Sequence, residues 1–406
     1  MKRLLMATTA LCFGAGTAAA QDMGMMDGPS LALSGSAEMG VAGSKDDEAR
    51  FHTDIDVTFK ATGTMNSGVT WSADVDLDEG GNKAPAHDDV DDDGGVTISI
   101  SQPEGFGTLT MGDVDGGYDW AIAGAREVGP GSIRDDHEHD GSSGTHGLDG
   151  EHDGQILQYN RAIGSGFSLA ASLEIDDDKD GEPDTDTDDP IIGIGGKYEM
   201  GMGAGNLTLG LGYQMGSFDH GIREGNTAKD GKGAFAWAES NTLDATAIGG
   251  SVSLDFTNEG DGVKMIATVE MGDGDGSNTT GTGNAAVTET ADAESTHIGL
   301  GLGYTVGAIS LGVNVGSVVR EYTVDENSRT TTDELFMLER TAEGVGFSAA
   351  YDLGGGAALQ FGVGSSETEY NYTYGDGDND RSGGGEDGHD YSSDTNKWSL
   401  GVAFSF

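Results

Sequence analysis

Apolar and polar side chains alternate with a period of two in about sixteen stretches of this chain. In the clearest, Phe51, Thr53, Ile55, Val57, Phe59 and Ala61 fall on one side of an extended strand, and His52, Asp54, Asp56, Thr58 and Lys60 on the other. One face suits hydrocarbon and the other water. The pattern predicts strands at 31–41, 51–61, 69–78, 96–102, 107–112, 155–161, 167–175, 191–200, 207–216, 244–257, 263–271, 297–306, 309–319, 344–353, 357–365 and 397–406. Residues 334–342 are open between strand and loop.

The connectors alternate in length. Short links at 64–68, 103–106, 163–166, 258–262, 307–308 and 354–356 carry Gly, Pro and Asn turn chemistry. Between them lie long polar segments, including 79–95, 113–154, 176–190, 217–243, 272–296 and 366–396. Beyond the amino-terminal segment no apolar run reaches the roughly 18 residues that a spanning helix needs. A closed barrel remains, because strand pairing satisfies every backbone group and only alternate side chains need be apolar. The expected fold is all-β: one domain, residues 21–406, forming a sixteen-stranded antiparallel transmembrane β-barrel with short periplasmic turns and long external loops.

Composition sharpens this picture. Lys2 and Arg3, an apolar stretch from Leu4 to Gly16 and the small run Ala18-Ala19-Ala20 read as a secretory signal peptide, residues 1–20. The only cysteine, Cys12, lies inside it behind Leu11, so the mature chain is expected to carry neither thiol nor lipid anchor, in keeping with an oxidising envelope compartment. Without Lys2 and Arg3, 18 basic residues face 71 acidic ones, a net charge near −53, and nucleic acid is not an expected partner. That acidity, with 71 glycines, would also suit a disordered or salt-adapted soluble chain. Here, however, the acids cluster between the alternating stretches. Aromatic residues Tyr159, Phe167, Tyr198, Tyr304, Tyr351 and Phe406 sit on apolar faces near one set of strand ends, as an interfacial girdle requires.

Several segments resemble the general porins of alphaproteobacteria. They are the opening strand Leu33 to Val41, the turn Thr62 to Gly68, Gly107 to Asp113, Glu127-Val128-Gly129, Tyr351 to Ala357 and the terminal Leu400 to Phe406. The resemblance implies a homotrimeric outer-membrane porin of a Gram-negative bacterium, surrounded by lipid and passing ions and small hydrophilic solutes. It also implies an inward-folded third loop that narrows the channel, and a terminal aromatic, Phe406, read by the barrel-assembly machinery. Residues 113–154 are the candidate constriction loop.

That loop carries Asp113, Asp115, Asp119, Glu127, Asp135, Asp136, Glu138 and Asp140, with Arg126 and Arg134 as basic exceptions. In the family as the resemblance implies it, an acidic third loop faces a basic wall. Here the wall positions hold Asp54 and Asp56, beside His52, and the next strand adds Asp74, Asp76 and Asp78, with Lys60, Arg161 and Lys264 as residual cations. Carboxylates lining a narrow aqueous path concentrate cations, so cation preference is expected.

Two D-x-D-x-D-G tracts, at Asp89, Asp91 and Asp93 and at Asp176, Asp178 and Asp180, suit weak Ca2+ or Mg2+ binding in external loops, although neither has the glutamate of a helix-loop-helix calcium site. No cofactor is otherwise required. His137, His139, His146 and His152 cluster in the third loop, but glycine-rich surroundings fix no metal geometry. No nucleophile elbow or zinc-protease motif occurs, and no enzyme activity is expected. The alternative is a secreted, acidic, calcium-binding surface or adhesion protein.

Overall fold

The computed structural model describes residues 29–45, 48–80, 95–142, 147–150, 155–175, 189–220, 241–257, 260–280, 287–328, 334–376 and 389–406. The signal segment, both aspartate tracts, His146 and His152 lie outside them. The alternating stretches form sixteen strands: β1 (Ser30–Ser44), β2 (Arg50–Thr64), β3 (Thr70–Gly80), β4 (Val96–Gln102), β5 (Gly107–Gly112), β6 (Ile156–Gly164), β7 (Phe167–Glu174) and β8 (Ile191–Gly201). The second half continues with β9 (Asn206–His220), β10 (Asn241–Asp255), β11 (Gly262–Thr280), β12 (Val287–Val306), β13 (Ile309–Ser328), β14 (Glu334–Gly354), β15 (Ala357–Asp376) and β16 (His389–Ser405).

Each strand pairs antiparallel with its neighbours in sequence, and β1 pairs with β16, so the sheet closes without an edge. At the seam Ser36 lies opposite Ser405, and Gly35 and Phe406 exchange backbone hydrogen bonds of 2.9 and 3.0 Å. The terminal residue thus completes the closure. No helix among the described residues is long and apolar enough to cross a membrane; the strands make the crossing.

The two faces separate as the alternation requires. Phe51 is 87% exposed whereas its neighbour His52 is 6% exposed. Leu33, Ile55, Val75, Ile98, Leu300 and Leu359 likewise present exposed apolar surface outward, in a position to meet lipid. The girdle aromatics Tyr159, Phe167, Tyr304, Tyr351 and Phe406 are exposed on this outer face, and Phe167 stacks on Tyr198 with ring centroids 4.4 Å apart.

The later strands are longer than the alternation predicts. Segments 272–296 and 366–396, expected as loops, are largely ladder, because β11 runs to Thr280, β12 starts at Val287, β15 runs to Asp376 and β16 starts at His389. Similarly, β13 extends to Ser328, and 334–342 is strand. The cause lies on the outer face: after Met265, Val269 and Met271 the same side of β11 presents Asp273 and Asp275, and β12 continues outward from Ile298 to Glu294 and Asp292. These extensions have two wet faces, so no apolar partner marks each second residue.

Tyr118 and Ile133, from the segment after β5, are fully buried, and Leu148 clusters with Ile191 and Ala245 on the inner wall.

Candidate functional site

The segment after β5 folds into the barrel. It forms a short helix, α1 (Gly117–Ala121), and 3-10 turns at Ala125–Val128, Ile133–Asp135 and Asp140–Ser142. Helix α1 packs on β6–β10, the first turn on β11–β13, the second on β15, β16 and β1, and the third on β12–β15. The turns follow the wall from β6 round to β1, and the polar faces of β2–β4 lie on the remaining side of the lumen.

Wall side chains hold the loop's backbone. Ser172 Oγ accepts from Gly117 N at 2.8 Å, and Ser251 Oγ accepts from Ala123 N at 2.9 Å. Lys264 Nζ donates to Glu127 O at 3.3 Å and Ser399 Oγ to Ile133 O at 2.6 Å. Near the loop's end, Gln214 Oε1 accepts from Leu148 N at 2.7 Å and Glu174 Oε2 from Gly150 N at 3.0 Å. Wall glycines permit this close approach. A Cβ on Gly346 would lie 1.7 Å from His137 O, and one on Gly303 1.9 Å from Val128 O.

Loop charges are less free than a count of acids suggests. Arg126 Nη1 pairs with Glu138 Oε2 at 3.4 Å. Glu127 Oε1 accepts from Gly124 N at 3.1 Å, and burial pushes its carboxyl above the ordinary range. Asp136 is almost fully buried and shifted the same way by burial, against the pull of Arg134. Asp140 accepts from Thr368 Oγ1 at 3.3 Å. Asp113 is exposed at the end of β5, while Asp115 and Asp119 are half-buried. Arg134 and Asp135 adopt φ of 60° and 50°, a left-handed bend rare outside glycine. The bend aims Arg134 N at Glu38 Oε2, 3.3 Å away on β1.

His137 and His139 are buried, and desolvation lowers both imidazoles from 6.5 to about 4, so they are neutral near pH 7. Ser132 Oγ lies 2.9 Å from His137 Nδ1. These two histidines dock the loop. No metal-ligand set forms around them among the described residues.

His52, Asp54, Asp56, Asp74 and Asp76 occupy the polar, lumen side of β2 and β3, as the alternation predicts. Ser36 Oγ donates to Asp56 Oδ2 at 2.8 Å and Thr58 Oγ1 to Asp76 Oδ1 at 2.9 Å. Lys60, one of the three residual cations expected from the sequence, pairs with Asp74 at 3.1 Å across the β2–β3 ladder. Thr97 Oγ1 adds a 3.2 Å bond to Asp74. The seam residue Glu38 was not singled out by sequence: only the β1–β2 register, which sets it opposite Asp54, brings it to this wall.

A family model described as Gram-negative porin matches residues 7–371. The barrel is similar to a porin refined at 1.8 Å resolution, with a TM-score of 0.54 and 21% identity over 93% of this chain and 100% of that one. A substituted form of Rh. blastica porin aligns with a TM-score of 0.47 and 17% identity over the same shares, 93% and 100%. No curated protein matches the sequence.

Proposed function

The chain belongs to the Gram-negative porin family, and on that premise we propose that its barrel is a cation-preferring channel for passive diffusion of ions and small hydrophilic solutes. Family and fold make it an outer-membrane porin. The cation preference is supported by one observation above all: Asp54, Asp56 and Asp76 share a lumen face with Asp74, whose charge is matched by Lys60, so carboxylates there outnumber the cation. Carboxylates beside a narrow water-filled path attract counter-ions of positive charge and repel anions.

Residues 113–154 are the constriction in this reading, with the wall of β2 and β3 as its opposing side. By the resemblance, the functional unit is a homotrimer and Phe406 is read by the barrel-assembly machinery. Weak Ca2+ or Mg2+ binding at the external aspartate tracts belongs to the same reading. A soluble adhesin would have no use for an outward face of Leu, Ile and Phe on a closed sheet.

Reversal potentials across planar bilayers in a KCl gradient test the selectivity. The expected sign favours potassium, and the permeability ratio falls toward one as salt rises from about 0.1 M to about 1 M, where screening shortens from ~10 to ~3 Å. A sign favouring chloride overturns the proposal. Conductance steps and heat-modifiable gel migration test the channel itself.

A further inference from the structure

One group of side chains on the lumen wall is incompletely satisfied. Glu38 on β1 stands opposite Asp54 on β2, and His52 is one lumen-facing step farther along, opposite Gly40. A ligand-capable atom from each of Glu38, His52 and Asp54 lies within 4.8 Å of the other two. His52 Nε2 is 3.5 Å from Glu38 Oε2, too long for a good hydrogen bond.

His52 is only 6% exposed, and among the described residues neither of its ring nitrogens has a hydrogen-bond partner. A buried polar atom left unmatched is destabilising, so a ring with two needs another source of stabilisation. Gly40, opposite, contributes no side chain, and the loop residue Ile133 closes that side: its Cδ1 would lie 2.5 Å from a Cβ on Gly40. The Arg134 amide, donating to Glu38 Oε2 at 3.3 Å, restrains the carboxylate. That is the kind of outer contact that orients a metal ligand.

We propose that Glu38, His52 and Asp54 bind a divalent transition-metal ion of the zinc class in the wall of the lumen. Metal bonds of about 2.0–2.2 Å to nitrogen and oxygen require ligand atoms about 3–4 Å apart, a separation these three residues reach with small side-chain adjustments. The imidazole nitrogen favours Zn2+, Ni2+ or Cu2+ over the oxygen-seeking Ca2+ and Mg2+. Two carboxylates and one neutral imidazole balance the ion's two charges, and water can fill the remaining coordination. The site is distinct from the loop histidines, which are packed against the wall. A bound ion would cancel two fixed negative charges of the candidate constriction, so metal binding would reduce both conductance and cation preference.

The binding arm of the test stands apart from the channel reading. Full-length protein refolded in detergent is titrated with Zn2+ against a background of a few millimolar Ca2+, roughly the range that saturates weak extracellular calcium modules. The expected result is one tight Zn2+ per chain, with affinity at least about tenfold lower in His52→Ala and in the near-isosteric Glu38→Gln. Heat-modifiable migration checks that each variant barrel is folded. Unchanged Zn2+ affinity in folded His52→Ala and Glu38→Gln, or no binding tighter than that of Ca2+, overturns the site. In bilayers, Zn2+ should lower conductance reversibly, with EDTA restoring it, and should do so less in His52→Ala. Binding without conductance steps would count against the channel reading alone; conductance steps without binding would count against the metal site alone.

Discussion

Lys60 and Asp74, 3.1 Å apart on the lumen wall, act as a neutral pair, so the two residues should shift selectivity in opposite directions when changed singly. Asp74→Asn removes a negative charge and frees an ammonium group, and cation preference should fall. Lys60→Met leaves the carboxylate unopposed, and preference should rise. Each change should be on the order of two- to fivefold in permeability ratio at low salt, the effect of about one charge at a few ångströms in a largely aqueous path. Reversal potentials for the two variants check the signs; equal shifts in one direction would mean that the pair does not face the ion path. The buried imidazoles supply a pH dependence. His137 and His139 are lowered from 6.5 to about 4 by burial, with Arg126 adding to the effect at His137, while Asn314 and Asp140 oppose it at His139. Between those values the undocked loop binds more protons than the docked one. Docking is therefore strongest above about pH 6.5 and weakens as the pH falls toward 4. Glu127 and Asp136, shifted upward by burial, pull the other way, since their protonated forms suit the docked loop. A His137→Gln/His139→Gln double variant isolates the histidine contribution. Hydrogen-exchange protection of residues 125–142 should drop more in the parent than in the double variant between pH 6.5 and 5, and parallel profiles would show that the imidazoles are not neutral when docked.

At the scale of elements, the inward loop rests on a track of wall glycines, and adding a methyl group there should lift it. Gly346→Ala would force the wall and His137 O apart, an overpacking that costs about 1–3 kcal/mol. The expected outcome is a lower and noisier single-channel conductance, as the loop moves toward β2 and β3. Gly250→Ala, whose nearest atom would be Gly210 O at 3.6 Å, should leave conductance unchanged. Indistinguishable recordings from the two variants would contradict the close packing. The same glycines explain what could be read in advance. Strand number and face were legible because lipid on one side and water on the other force a two-residue period, as in Phe51 to Ala61. Strand length was not, because beyond the apolar band Asp273 and Asp275 on β11 meet water as readily as the inner residues do. The wall aspartates could be found from that period alone. Glu38 could not, since its nearness to His52 depends on the β1–β2 register, and the pairing of Lys60 with Asp74 depends on the register between β2 and β3. The alternate glycines of β12 and β14, Gly299, Gly301 and Gly303 and then Gly344 and Gly346, carried a readable signal: strand positions with no side chain mark where another backbone approaches.

For the whole molecule, the sheet and the charge oppose each other. Sixteen strands close without an edge, which holds the ladder together from Gly35 and Phe406 at the seam through every neighbouring pair. Against that stands a formal net charge of −51 over 406 residues. Exposed carboxylates such as Glu294, Glu321, Glu339, Glu367, Glu369 and Asp394 continue the outer wall beyond its apolar band. Like charges on a rigid cylinder cannot move apart as they would on a flexible chain, so unfolding relieves their repulsion. Salt removes that advantage by screening: the range of interaction falls from ~30 Å at 0.01 M to ~3 Å at 1 M. The folded barrel should therefore gain thermal stability in detergent as monovalent salt rises over this range, opposite to the trend for a fold held by surface ion pairs. The described surface pairs are few, Lys45 with Asp394 at 3.2 Å being one, and their loss to screening is too small to reverse the sign. Thermal unfolding followed by the gel shift of heat-modified protein at 0.01, 0.1 and 1 M NaCl, concentrations spanning roughly that tenfold change in screening length, measures the trend. A melting temperature that stays flat or falls would mean that bound cations already neutralise the acids at low salt, and repeating the series after EDTA treatment would then restore the rise.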